Sequence, residues 1–241
     1  MADTDAPVPR KQNRSAEELA MREIMVSELR TRFPQARIIH ELPLRYGSNT
    51  IDLAAVTETE INAVEIKSSR DVMDRLEKQL RTFAPISTRL IVALAPRWNE
   101  KLPSIERPSK HPGARTLISQ HTDAQRIISS VHANHVETWT CDAAAGTAAQ
   151  TDGGYLTNRF PWPRLALDIL HVLELEVVAF KHGIAARARH DLLADACAAG
   201  MTGNQVMRAV CAALRTRTAF AAASDPPIGA ATPASTSGLF P

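Results

Sequence analysis

Cysteine is scarce: Cys141, Cys197 and Cys211 are the only three in 241 residues. The number is odd and no CxxC spacing occurs, which argues against a disulfide framework and a zinc site and fits a reducing cytoplasm. No run approaches the roughly 20 apolar residues of a membrane span. The opening stretch, MADTDAPVPRKQNR, lacks the apolar core of a secretory signal. An excess of one charge sign is also missing. The formal net charge is +2 and the pI is near 8.5, far from the balance of a nucleic-acid coat, so phosphate contacts must come from local patches. No internal repeat is visible. What the chain does have is apolar content, 44% against 22% charged. That suffices for one large domain, or a domain of about 150 residues with an appendage. The expectation is a soluble cytoplasmic protein without a membrane partner.

Residues 1–14 read as a disordered N-terminus. Ser15-Ala-Glu-Glu18 fits a capping box, and Leu19, Ile24, Met25 and Leu29 supply the stripe of a helix running to Pro34. Ala36–Leu42, Thr50–Val56 and Ile61–Lys67 read as strands. Asp71–Phe83 reads as a helix with Val72, Leu76, Leu80 and Phe83 on one side, and Leu90–Ala95 as a buried strand. A long irregular stretch, Arg97–Gln120, contains Pro103, Pro108 and Pro112; Ser87–Ile118 holds six Lys/Arg against two Glu. Loops of this length are functional or disordered. A helix at Asp123–Val131 and a strand at Val136–Cys141 close a first domain over 15–141. Residues 142–160, rich in Ala, Gly and Thr, read as a linker. Pro163–Lys181, Ala185–Ala199 and Gly203–Thr216 read as the helices of a small domain over 161–218, and 219–241 as a disordered tail.

The chemistry lies in the second and third strands. With Glu58 and Thr59 as a two-residue hairpin loop, Thr57 pairs with Glu60, Val56 with Ile61, and Asp52 stands opposite Glu65 on the same face. Lys67, two residues beyond Glu65, shares that face. Two carboxylates about 5 Å apart repel by roughly 3 kcal/mol at an effective dielectric of roughly 20. Their neighbours Ile51, Leu53, Val64 and Ile66 are apolar, so water cannot relieve the repulsion. A hard divalent cation, Mg²⁺ or Mn²⁺, does so with oxygen ligands. Asp52, Glu65 and the Ile66 backbone carbonyl are the expected ligands, and Lys67 is the group that orients the attacking water in phosphodiester hydrolysis.

Asp52, twelve intervening residues and then Glu65-Ile66-Lys67 resemble the D…(D/E)xK signature of the PD-(D/E)xK nuclease superfamily, with Ile51 where the family name has proline. Gln79 with Phe83 resembles the QxxxY motif of its RecB-like branch, Phe83 replacing the tyrosine. EIKSSRDVMDRLEKQL is also similar to small bacterial and phage members, whose helical C-terminal segment ends in a sequence like Leu214-Arg215-Thr216-Arg217. The resemblance implies an α/β restriction-endonuclease-like core, a mixed four- to five-stranded sheet flanked by helices, followed by a small all-helical domain. It implies a Mg²⁺-dependent deoxyribonuclease acting on DNA. A further acid comes from upstream in such proteins, with Glu41 the best match and Glu28 its rival. Arg97, Lys101, Arg107, Lys110 and Arg115 are candidates for a phosphate-contacting flap. The alternative is a catalytically inactive nuclease-fold module that binds DNA or protein. A homodimer and a protein partner on the C-terminal helices both stay open.

Overall fold

A computed structural model describes residues 14–44, 49–100, 102–108, 115–120, 122–131, 136–152, 161–184 and 189–228, with 102–108 and 115–120 described by backbone alone. Helix α1 (Ala16–Arg32) begins where the capping box predicts, Ser15 Oγ accepting from Glu18 N at 3.1 Å. Glu17 and Glu18 in its first turn and Arg30 and Arg32 in its last complement the helix dipole. Its buried stripe runs through Met21, Met25 and Leu29, while Leu19 faces solvent.

β1 (Arg37–Pro43), β2 (Thr50–Val56) and β3 (Ile61–Lys67) form an antiparallel meander. The β2–β3 hairpin turns as the sequence predicts: Thr57 N donates to Glu60 O at 3.0 Å and Val56 pairs with Ile61. Helix α2 (Leu76–Phe83) then crosses over to β4 (Arg89–Leu94), which lies parallel to β3. After a hairpin of β5 (Leu102–Pro108) and β6 (Arg115–Gln120), helix α3 (Asp123–Ser130) leads to β7 (Val136–Asp142), parallel to β4. β8 (Thr147–Asp152) pairs antiparallel on β7. The result is a six-stranded mixed sheet in the order β1-β2-β3-β4-β7-β8. Every residue of β3 is buried, as expected of a strand covered on both faces.

Helix α1 covers one face, packing on Ile38, Leu53, Ala55, Val64, Ile66, Ile91 and Ala93. The other face, with Ala54, Val56, Ala63 and Val92, carries Leu76, Leu80 and Phe83 of α2. Four further helices follow: α4 (Pro163–Leu167), α5 (Val172–Lys181), α6 (His190–Gly200) and α7 (Gly203–Thr216).

Several expectations need correction. The sheet has six strands, not four or five, because β8 forms inside the expected linker. Asp142 Oδ1 accepts from Ala144 N and Ala145 N, and Gly146 adopts φ 68°, so turn chemistry folds the chain back. β8 is mostly exposed and so gives no apolar signal; residues 153–160 lie outside the described ones. The C-terminal helices share a core with the sheet. Leu167, Leu175, Leu193, Val206 and Leu214 belong to the same continuous core as Ile39, Ala54 and Phe83. The expected helix Pro163–Lys181 breaks between α4 and α5, and Asp71–Phe83 shortens to α2 because Asp71 Oδ2 instead accepts from Ser68 N and Oγ. The expected irregular stretch contains the β5–β6 hairpin.

Nor is all of 219–241 free of structure. Ile38 N donates to Asp225 Oδ2 and His40 N to Ser224 Oγ, both at 2.9 Å, while Asp225 N donates to Ile38 O at 2.8 Å. Buried Arg37 donates to the carbonyls of Leu214, Arg215 and Arg217 at the end of α7, and to that of Asp225. Residues 229–241 lie outside the described ones, as do 1–13. Arg14 is described and forms ion pairs. The outer side of α5 presents Leu173, Val177 and Phe180 to solvent. No helix among the described residues is long and apolar enough to cross a membrane.

Candidate functional site

Regular β2–β3 pairing runs from Val56↔Ile61 to Leu53↔Val64, and one further step of this register sets Asp52 against Glu65. The ladder opens there. Asp52 Oδ2 takes the Ile66 N–H at 2.9 Å, standing in for a strand carbonyl. In an extended strand the N–H and C=O of one residue point the same way, so the Ile66 carbonyl also turns toward the β2 side. The Lys67 carbonyl turns the opposite way, accepting from Ala95 N at 2.9 Å.

Glu65 is 1% exposed. Its Oε1 accepts from Lys67 Nζ at 2.7 Å, and Lys67 Nζ also donates to Gln79 Oε1 of α2 at 3.0 Å. Expected neighbours Glu65, Lys67 and Gln79 are thus brought together. Among the described residues no group hydrogen-bonds Glu65 Oε2, although the atom is buried. Burial, and next the charge of Asp52, push the Glu65 carboxyl up to about 8, against the lowering effect of Lys67 and Gln79.

The expectation of one shared face is corrected. Asp52 makes its ion pair on the α1 side, whereas Glu65 meets Gln79 on the α2 side. Strand alternation breaks at this point: Ile51 lies in the same core cluster as Ala54 and Val56, where strict alternation would put it with Leu53 and Ala55. Opposite Asp52, between the pairs His40↔Leu53 and Leu42↔Ile51, Glu41 adopts the left-handed φ of 54°. This conformation is strained for a non-glycine residue and accounts for the local flip.

Buried Arg22 of α1 is the residue that sequence reasoning missed. Its Nη2 donates to Asp52 Oδ1 at 2.5 Å, its Nη1 to the Asp52 carbonyl at 2.9 Å and its Nε to Glu18 Oε1 at 3.2 Å. Arg14 in turn lies 3.4 Å from Glu18 and pairs with Glu41. Glu41 therefore stands beside the site, joined to Asp52 through a chain of alternating charges. The Glu18–Arg22 spacing of four residues, beside the Met21–Met25 stripe, is the one signal that marks this face of α1. Glu28 is elsewhere: with burial and Asp142, it raises the Cys141 thiol on β7 to about 11.

The loop after Lys67 is tied down. Ser69 N and Oγ donate to Glu17 Oε2, and Trp98 Nε1 to Ser68 O at 2.9 Å. Arg97 donates to the Ser69 carbonyl and stacks on Trp98, 4.1 Å from the ring centroid, which sets one expected basic residue at the rim of the site. Lys101 and Lys110 lie outside the described residues, and so do the side chains of Arg107 and Arg115.

The sequence model of one protein family, described as Bacteriophage P4 protein cII, matches residues 11–113. The chain is similar to that family over less than half its length, from α1 through β5, a span that includes Asp52, Glu65, Lys67 and Gln79. No curated protein and no solved structure matches the chain.

Proposed function

We propose that the protein is a Mg²⁺-dependent deoxyribonuclease with a restriction-endonuclease-like core that hydrolyses phosphodiester bonds in DNA. The observation that carries this reading is Glu65: a carboxylate buried beside Asp52, with one oxygen held by Lys67 and the other without a hydrogen-bond partner among the described residues. A divalent cation fits such an oxygen, and its charge offsets the desolvation and repulsion that raise the Glu65 pKa. Glu65 and the Ile66 carbonyl would hold it, joined by Asp52 once its side chain turned from Arg22 on the α1 side toward Glu65. When bound, Mg²⁺ supplies Lewis-acid charge to the phosphate and lowers the pKa of a coordinated water. Lys67 has three N–H donors; two go to Glu65 and Gln79, and the third would serve an incoming phosphate or water. Arg22 would yield Asp52 Oδ1 to the ion while keeping Glu18 and the Asp52 carbonyl. A mixed sheet flanked by helices, with Gln79 delivered by the crossover helix, agrees with the PD-(D/E)xK resemblance.

A second reading, a catalytically inactive nuclease-fold module that binds DNA or protein, is favoured by the 2.5 Å Arg22–Asp52 pair. There a buried guanidinium already supplies the positive charge. Linear, nicked, branched and single-stranded DNA offered with Mg²⁺ or Mn²⁺ separates the two. The first reading expects cleavage by the wild type, none by Lys67→Ala, and a calorimetric Mg²⁺ signal abolished by Asp52→Ala. Equal behaviour of wild type and Lys67→Ala on every substrate, with DNA binding indifferent to metal, leaves only the second.

A further inference from the structure

We infer that Asp168, His190 and Asp191 form a second metal site, for a divalent transition-metal ion, that clamps the α4–α5 junction to the start of α6. Asp168 caps the end of α4, and His190 and Asp191 open α6. The His190 ring is buried and its two nitrogens have different surroundings. Nε2 lies 2.9 Å from the Leu170 carbonyl; a carbonyl only accepts, so Nε2 carries the proton. Among the described residues no group hydrogen-bonds Nδ1, although it is buried. It faces Asp168 Oδ1 at 3.9 Å and Asp191 Oδ1 at 3.8 Å, too far for hydrogen bonds. All three donor atoms lie within 4.8 Å of one another.

A ring whose far N–H is anchored on a backbone carbonyl, with its other nitrogen turned toward carboxylates, has the orientation that metal-bound histidines adopt. Asp168 also accepts from Arg164 Nη1 at 2.6 Å, and Arg164 is shared with Asp195. One imidazole nitrogen and two carboxylate oxygens suit Zn²⁺, Mn²⁺ or Co²⁺ better than Ca²⁺. Metal–ligand distances of about 2.0–2.2 Å require the donors to close by roughly 1 Å. The Asp191 side chain is 59% exposed and can turn inward without disturbing the core. Water completes the coordination.

Titration of the full-length protein with Zn²⁺ by calorimetry, and with Co²⁺ by visible absorption, tests this clamp. Asp52→Ala serves as the control that removes the proposed nuclease site. Asp52→Ala should bind one Zn²⁺ and develop Co²⁺ bands, as the wild type does. In the Asp52→Ala background Asp191→Asn should weaken that binding by more than about tenfold, the scale of lost supporting contacts alone, and His190→Gln should abolish it. If His190→Gln does not fold, Asp191→Asn still carries the test. No Zn²⁺ heat with Asp52→Ala, or equal Zn²⁺ affinity with and without Asp191→Asn in that background, would each overturn the inference while leaving the nuclease reading untouched.

Discussion

Replacing Glu65 by Gln keeps the shape of a buried side chain and removes its ability to ionise. In the folded protein burial, and then Asp52, move the Glu65 carboxyl from its ordinary 4.5 to about 8. A raised acid pKa means that the folded state holds a proton the unfolded chain releases. Wild-type stability from this group is therefore complete below 4.5 and is lost as pH rises to about 8. At about 1.4 kcal/mol per pH unit, that window corresponds to a loss on the order of 5 kcal/mol, an upper limit because water can enter around an ionised carboxylate. Gln does not titrate, so the variant lacks this loss. At low pH the two proteins should agree within about 1 kcal/mol, since a protonated Glu and a Gln match in shape and Lys67 keeps Gln79. By about pH 8 the variant should be the more stable by several kcal/mol. Urea unfolding followed by circular dichroism, with chelator, from about pH 4 to about pH 9 measures the difference. Adding Mg²⁺ at the upper end should then stabilise the wild type and leave the variant unchanged. A wild type–variant difference that stays constant across the range would refute the link between burial, Asp52 and the Glu65 proton.

Removing the competitor for Asp52 tests the metal from the other side. Arg22→Gln should tighten Mg²⁺ binding by roughly tenfold, about 1.4 kcal/mol, and an unchanged calorimetric affinity would take Asp52 out of the ligand set. Arg37→Met should lower the unfolding free energy by about 3–5 kcal/mol, because the carbonyls of Leu214, Arg215, Arg217 and Asp225 lose their donor; a urea midpoint within error of wild type would contradict that. Phe180→Ser, at a side chain 81% exposed, should change stability by less than about 0.5 kcal/mol. A larger drop in melting temperature would show that this side of α5 is covered in solution.

The β2–β3 hairpin was legible because register and apolar flanks in Thr50–Lys67 agree, although Glu58-Thr59 is not a favoured hairpin turn pair. The Glu65-x-Lys67 pair followed from strand periodicity, and Gln79 only from the resemblance to the QxxxY motif. Arg22 was not legible, since a contact between residues 22 and 52 depends on how α1 lies across the sheet. The flip at Asp52 was hidden because nothing in the residue type of Glu41 announces a left-handed backbone. β8 escaped because Ala148, Ala149 and Gln150 are held by ladder hydrogen bonds rather than by burial. The apolar stripes of α4 to α7 show that those helices bury a face. They do not say that the face lies on the same sheet. Ser224 and Asp225 dock through side-chain oxygens, which leave no periodic trace.

That last contact decides how the sheet can grow. β1 is an outer strand, and an outer strand with unused N–H groups is a template for another chain. Here the outward donors of Ile38 and His40 are already taken by a carboxylate and a hydroxyl. A foreign strand would have to strip off that short polar cover before it could form a single ladder bond. Self-association by sheet extension is thereby blocked at the β1 border. The opposite border of the six-stranded sheet is β8, which is short and carries Thr, Gln and Asp side chains.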